Sequence, residues 1–304
     1  MTAAPHAPAA DVSEATAAAM AAAGLVPGQS PSPLRLPDAT SLFQRRAARL
    51  RRLAGGHSLG GWLSFVATLA DAQHALAAAT ASAPPAAQWP LDLQALLARL
   101  GDTVPPPARV ALGLLGPGES GRLAAFADRL INDQLETTDL PAAPFVTAAL
   151  QVAWTRHAAV LDVNTISVHA TAQVCPVCGG APVAGVLHVG MEAGGLRYLH
   201  CGICHTAWHH VRASCVSCGD GKHVDQRFLE GTGEDRTKGG QGKDGPVRAE
   251  TCGACHSYLK LLFLDKAPDL DPVADDLASL ALDILVGEEG YQRIGGNPFL
   301  VLAD

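Results

Sequence analysis

The sequence predicts an α+β protein: a mainly helical N-terminal domain, then two rubredoxin-like or zinc-ribbon-like metal modules, then a C-terminal helix. Three observations carry this. Before residue 165, apolar residues recur at helical spacing and no cysteine occurs. All 8 cysteines then fall between Cys175 and Cys255, as four Cys-x-x-Cys pairs. After the last pair an apolar run gives way to Asp271-Pro272, a helix-start signal.

Composition removes several classes of function. The 304 residues are 48% hydrophobic and 17% charged, enough apolar surface to offset ordering entropy, so wholesale disorder is excluded. A formal net charge of -7 argues against a general nucleic-acid binder, whose affinity comes from neutralising phosphates. The longest apolar stretch, Gly61 to Ala79, is cut by Asp71 and His74, so no membrane span is expected. Residues 1–37 read as a flexible tail. Its Ala-rich start lacks the basic residues of a secretory signal, which points to a cytoplasmic protein.

The helical domain is expected over residues 38–165. Asp38 is placed to cap a helix through Leu53, with Phe43, Ala47 and Leu50 on one face and Gly55 as its stop. Arg45, Arg46, Arg49, Arg51 and Arg52 fall on the other face, which reads as solvated rather than as a patch for an acidic partner. Ser58 starts the next helix, where Trp62, Phe65, Val66, Leu69, Gln73 and Leu76 form one stripe. Further helices are expected over 91–100, 119–136 and 145–161, with prolines between them. His74 and His157 fall inside helices and read as satisfied polar positions.

The four pairs are Cys175/Cys178, Cys201/Cys204, Cys215/Cys218 and Cys252/Cys255. A tight knuckle presents two thiolates and its backbone amides to one cation, and two knuckles close a tetrahedral four-sulfur site. Gly179 and Gly219 follow the first and third pairs, where a knuckle turns into the left-handed region. Cys175-Pro-Val-Cys-Gly has the form of a rubredoxin or zinc-ribbon knuckle. Disulfides would need an oxidising compartment, and a thioredoxin-like pair would need to open a helix in a βαβ unit; the metal reading is preferred to both. Sequential pairing leaves 22 residues between Cys178 and Cys201, and 33 between Cys218 and Cys252. It is favoured over a cross-braced arrangement, which stays open. The first module spans 166–212. The second spans 213–264 and carries a Gly-rich, charged, mobile insertion at 230–245. Iron and zinc suit a four-thiolate cage equally. Histidines cluster here too, including His205 and His256, but four thiolates already complete each site, so none is assigned as a ligand.

The last segment, 265–304, carries the C-terminal helix and a tail. Ser257 to Leu264 reads as a strand. Asp271 caps the helix, on which Val273, Leu277, Leu280 and Ile284 share a face. Asp275 and Asp276 lie in its first turn, where the dipole favours carboxylates; this is preferred to an acid–base role. No hydrolase or nucleotide-binding motif occurs, and no enzymatic activity is expected.

Specific motifs then add a family. Cys175-Pro-Val-Cys-Gly, Leu196-Arg-Tyr-Leu-His-Cys-Gly-Ile-Cys204, Trp208-His-His-Val-Arg212 and Cys215-Val-Ser-Cys-Gly219 occur in the order seen in the FdhE family of formate dehydrogenase accessory proteins. Glu250-Thr-Cys-Gly-Ala-Cys-His-Ser-Tyr-Leu-Lys260, Val273 to Asp283 and the closing Glu289-Gly-Tyr-Gln-Arg-Ile-Gly-Gly-Asn-Pro-Phe-Leu300 extend the likeness. Residues 175–300 thus resemble that family densely; the N-terminal half resembles it only as a helical domain of suitable length. The insertion at 230–245 is longer than the family's usual link. The resemblance implies a cytoplasmic maturation factor with two thiolate-bound iron ions that binds the formate dehydrogenase catalytic subunit. Weak self-association is compatible with it. Rival readings are a nucleic-acid-binding zinc ribbon and a dithiol oxidoreductase. The first wants a basic stripe, whereas Arg197 to Lys260 holds nine Lys and Arg against seven Asp and Glu. Arg197, Tyr198, Trp208 and Arg212 are expected as surface anchors for the partner, the alternative being that Tyr198 and Trp208 pack the ribbon against the helices.

Overall fold

The computed structural model describes residues 32–79, 83–113, 120–132, 134–169, 171–188, 195–229 and 245–300. The expected insertion at 230–245, apart from Gly245, and the expected tail up to residue 31 lie outside them.

Among the described residues the first half holds six helices: α1 (Leu42–Ala54), α2 (Gly60–Ala77), α3 (Pro85–Leu100), α4 (Pro106–Gly113), α5 (Ser120–Ile131) and α6 (Ala143–Ala159). Asp38 does not cap α1 directly. Its carboxylate accepts from the amide and hydroxyl of Thr40 and from the Ser41 hydroxyl, a turn that feeds the helix. α3 starts at Pro85, earlier than expected, and runs through Pro90. The buried side chains of Trp89 and Leu93 hold that turn on the core, and tertiary packing overrides the proline. α6 is the axis of the domain. Every residue from Ala143 to Ala153 is buried, because α2, α3 and the first metal module surround it. A helix covered on all sides needs no polar face.

Eight strands among the described residues form a single sheet: β1 (Leu34–Arg35), which precedes α1, then β2 (Pro182–His188), β3 (Leu196–Cys201), β4 (Ala207–His209), β5 (Val224–Arg227), β6 (Val247–Cys252), β7 (Ser257–Phe263) and β8 (Gln292–Arg293). Their order is β1-β4-β3-β2-β7-β6-β5, with β8 beside the start of β7. Residues 34–35 of the expected tail therefore join the sheet, with Leu34 opposite Trp208. Within each half the hairpin strands are antiparallel, while β8 lies parallel to β7. The halves are sealed by a parallel seam, Gly185↔Leu261, Val186↔Leu262 and Leu187↔Phe263. β7 is buried along its whole length, as a central strand covered on both faces must be. At the seam Gly185 leaves room for the Leu261 side chain, whose Cδ2 would lie 2.7 Å from a Cβ there.

The C-terminal helix is broken in two, α7 (Pro272–Ala278) and α8 (Leu280–Glu288). Asp271 caps α7 as expected, accepting from the amides of Val273 and Ala274. At Ser279 the backbone leaves the helix (φ -104, ψ 30), its hydroxyl bonded to the carbonyls of Asp275 and Asp276. The turn rotates the apolar face, so Ile284 is 54% exposed while Leu282 and Val286 pack against Ala249 and Tyr258. α7 packs between α1 and β2, α8 against β6.

One reading of charge is corrected here and a second is extended. Arg46 and Arg49 are not solvated. Arg46 Nε bonds Asp271 at 3.0 Å, and Arg49 holds Asp275 through Nε and Nη2, clamping α1 to α7. Asp276 faces the other way, toward Arg293 at 2.5 Å and Lys260 at 3.4 Å, with Asp283 completing a buried network. The adjacent acids are thus bolts to two different parts of the molecule. Among the described residues, no helix is long and apolar enough to cross a membrane.

Candidate metal centres

The cysteines sit at equivalent places in two copies of one motif. In each copy a knuckle precedes an antiparallel hairpin, the second strand runs into a second knuckle, and a third strand leaves it. The first copy uses Cys175/Cys178, β2, β3, Cys201/Cys204 and β4; the second uses Cys215/Cys218, β5, β6, Cys252/Cys255 and β7. The hairpin register sets Pro182 opposite Cys201 and Val224 opposite Cys252, which carries the second knuckle back to the first.

Each knuckle closes on its own backbone. The Cys175 amide donates to the Gly180 carbonyl at 2.8 Å and the Cys215 amide to the Asp220 carbonyl at 2.7 Å. The residue after each second cysteine turns left-handed: Gly179 (φ 76), His205 (φ 59), Gly219 (φ 77) and His256 (φ 56). Glycine was legible for this role; the two histidines do the same at some strain, a conformation His tolerates better than most residues.

The knuckles bring together Cys175, Cys178, Cys201 and Cys204 in one group, and Cys215, Cys218, Cys252 and Cys255 in the other, all sulfurs of a group within 4.8 Å. This is the sequential pairing. Within the groups, contacts between knuckles run from 3.3 Å (Cys178–Cys201) and 3.4 Å (Cys175–Cys204) to 3.6 Å (Cys215–Cys255) and 3.7 Å (Cys218–Cys252). A tetrahedral ion with ~2.3 Å bonds to sulfur sets its ligands ~3.8 Å apart, so the donor sets fit iron or zinc in size and in chemistry. The cysteines are free thiols, not disulfides. Amides of Ile203 and Cys204 point to Cys201 Sγ at 3.3 and 3.4 Å, as donors to a negative sulfur do.

Electrostatics makes the same demand. Hydrogen bonds from Cys178, Cys201 and Cys204 hold the Cys175 thiol far below its ordinary value, while burial drives Cys201 and Cys204 well above theirs. One thiolate is cheap here and four are not, unless a cation joins them. In the second group burial raises Cys255, yet hydrogen bonds from Ser257 outweigh it and leave the thiol at about 6.

One pattern escaped the sequence reading. Thr206 Oγ1 lies 3.2 Å from Cys204 Sγ, and Ser257 Oγ 2.9 Å from Cys255 Sγ. In both copies a hydroxyl two residues beyond the last cysteine bonds its sulfur and orients it. The repeated Cys-His-Thr and Cys-His-Ser triplets were the available signal.

The surroundings of the two groups differ. The first is built into the protein: Gln151 of α6 donates to the Gly202 carbonyl at 2.7 Å, and His205 is held between Arg46 (2.9 Å) and Thr155 (2.8 Å). His205 therefore ties the module to the helices and is not a ligand. In the second group Cys218 and Cys255 are exposed.

The expected partner anchors are mostly interior. Tyr198 and Trp208 are fully buried, their polar atoms bonded to the carbonyls of Ser32 (2.8 Å) and Ala172 (2.9 Å). The ribbon borrows its core from α6 and β1, which gives large side chains an interior to occupy. Arg197 is buried as well, bonded to Glu250 at 2.5 Å and to the carbonyls of Val211 and Ser214. It pins the second copy, and the link into it, to the first. Arg212 remains exposed.

Comparison with known proteins now decides the lineage. Three family models match in chain order: FdhE, N-terminal, over 31–88 and 79–171; FdhE, central domain, over 174–212; and FdhE, C-terminal domain, over 213–300. The chain belongs to the FdhE family. A protein FdhE homolog of Cronobacter sakazakii is 35% identical over 292 residues, covering 88% of this chain and 91% of that one. The homolog of Pseudomonas aeruginosa is 35% identical over 313 residues, covering 92% and 97%. The crystal structure of the FdhE protein from Pseudomonas aeruginosa superposes with a TM-score of 0.78 at 34% identity, covering 89% of this chain and 99% of that chain. The likeness reaches the helical half, where the motifs alone were thin. In this FdhE family member the helices, both cysteine groups and the C-terminal helices form one inherited unit.

Proposed function

We propose that this FdhE family member is a cytoplasmic accessory protein in the maturation of respiratory formate dehydrogenase, and that it binds the catalytic subunit of that enzyme without turning over a substrate. The observation that carries the reading is the likeness to FdhE proteins along nearly the whole chain, together with two donor sets in which every position is a thiol. A tetrahedral ion held by four protein ligands keeps no open position for a substrate, so such centres support a shape rather than a reaction. The eight cysteines are the metal ligands in this reading. The ion is iron on family resemblance, and zinc suits the same thiolates. Bound metal supplies the folding energy that ribbons of this size lack.

The chain's own residues do the rest. Thr206 and Ser257 orient sulfurs, and Arg197 and Glu250 hold the two copies in one register. The helical domain fixes the first copy through Gln151, Thr155 and Arg46. The partner thus meets a preformed surface, with exposed Arg212 at the junction of the copies.

A deletion strain tests this. Formate-dependent dye reduction in its membranes is expected to fall and to return with the wild-type chain, but not with a Cys175→Ser, Cys215→Ser variant. Full dye reduction in the deletion strain removes the accessory role.

A further inference from the structure

A cavity of about 340 Å³ lies between α1, the start of α7 and the ends of β2 and β3, within the size range of small-ligand sites. Its polar lining is basic. Arg35, Arg45, Arg46, His188, His200 and His205 face two carboxylates, Asp38 and Asp271. Both carboxylates are engaged already. Asp38 accepts from Thr40 and Ser41 and stands 3.7 Å from Arg45. Asp271 accepts from the amides of Val273 and Ala274 and from Arg46 at 3.0 Å.

His205 Nε2 is taken by Arg46 at 2.9 Å, and Arg35 stands 3.3 Å from the ring nitrogens of His188 and over the ring of Tyr198. His200 differs. Its Nε2 is shut off from solvent and has no hydrogen-bond partner. The cavity therefore meets another part of the His200 ring, and its charge comes from the guanidiniums.

Three imidazoles invite a third metal, but the lining opposes one. Three guanidiniums border the same space, and among the described residues only the two cysteine groups bring three or more ligand atoms within 4.8 Å of one another. The guanidiniums oppose an apolar ligand as well. We propose that this cavity binds a small oxyanion, with Arg35 and Arg45 supplying the charge that holds it and His200 forming part of the wall. The walls come from β1, α1, the first cysteine copy and α7, so the ion would tie together parts that the chain brings from far apart. This site is independent of the accessory role; either stands if the other fails.

Isothermal titration of the metal-loaded full chain in low-chloride buffer tests it, with sodium formate in one arm and sodium phosphate in the other. At least one arm is expected to saturate at a single site. Saturation with formate assigns a planar carboxylate, and with phosphate a tetrahedral ion. Arg35→Gln and Arg45→Gln are each expected to weaken that binding about tenfold or more, since each removes a positive charge that faces the anion. The Arg45 side chain is 65% exposed, so that variant keeps its fold, while Arg35→Gln is compared at matched metal content. No saturable heat in either arm, or wild-type affinity in both variants, overturns the proposal.

Discussion

Arg49 and Asp275 lie 226 residues apart in sequence and form a two-pronged ion pair, Nη2 to Oδ1 at 2.6 Å and Nε to Oδ2 at 3.0 Å. Both side chains are almost wholly buried. The pair joins the first helix to the C-terminal helices, so the helical domain and the sheet are closed by the two ends of the chain.

Removing one member is therefore expected to be costly. Arg49→Met should lower stability by about 3–5 kcal/mol, because it strands a buried carboxylate. Replacing Asp275 by Leu in the same chain should recover much of that loss. Denaturant unfolding of the single and double variants checks this, and a single variant as stable as wild type would contradict it.

The pair also sets a pH dependence. Burial pushes the Asp275 carboxyl up to about 6 despite Arg49. A carboxyl with a raised folded value stabilises the fold most when protonated, below its unfolded value near 3.8, and loses that contribution as pH rises through 6. Without Arg49 the folded value climbs further, so the variant keeps losing stability where wild type has levelled off. The gap between Arg49→Met and wild type should widen from pH 5 to pH 8; a constant gap speaks against the pair.

Arg197 offers a contrast with its neighbour Arg212. Arg197→Ala leaves Glu250 buried and frees the link into the second copy, and should cost about 3–5 kcal/mol. Arg212 is exposed, and Arg212→Ala should change stability by less than about 0.5 kcal/mol. Thermal unfolding of both variants separates an internal bolt from a surface residue. A partner-binding defect in Arg197→Ala must be read through this loss of stability.

These residues show where sequence reading stopped. The cysteine groups were legible because their spacing is local: four Cys-x-x-Cys pairs, taken in sequence order, form the two groups. Periodicity placed most helices for the same local reason. Arg49, Arg197, Tyr198 and Trp208 were not legible, since each finds its partner across the fold: Asp275, Glu250, and the carbonyls of Ser32 and Ala172. Treating each ribbon as an isolated module favoured the surface for large side chains, whereas the alternative, that Tyr198 and Trp208 pack the ribbon against the helices, is what the structure shows. The shared sheet, sealed by β2 and β7, supplies the missing interior. The break at Ser279 was hidden because apolar spacing continues across it.

The two centres should release metal at different rates. The first is enclosed by α6, β1 and Trp208, whereas Cys218 and Cys255 of the second face solvent. A chelator is expected to remove metal in two phases of equal amplitude, and Cys218→Ser should abolish the fast one alone. A single phase, or loss of the slow phase in that variant, would contradict the asymmetry.

The most direct test of the account is quantitative capture by the tagged, metal-loaded chain from cells that express formate dehydrogenase. The account predicts that the catalytic subunit is recovered in near-stoichiometric amount by wild type, and lost with the Cys175→Ser, Cys215→Ser variant. Absence of that subunit from the captured proteins, with metal filling both centres, would contradict it.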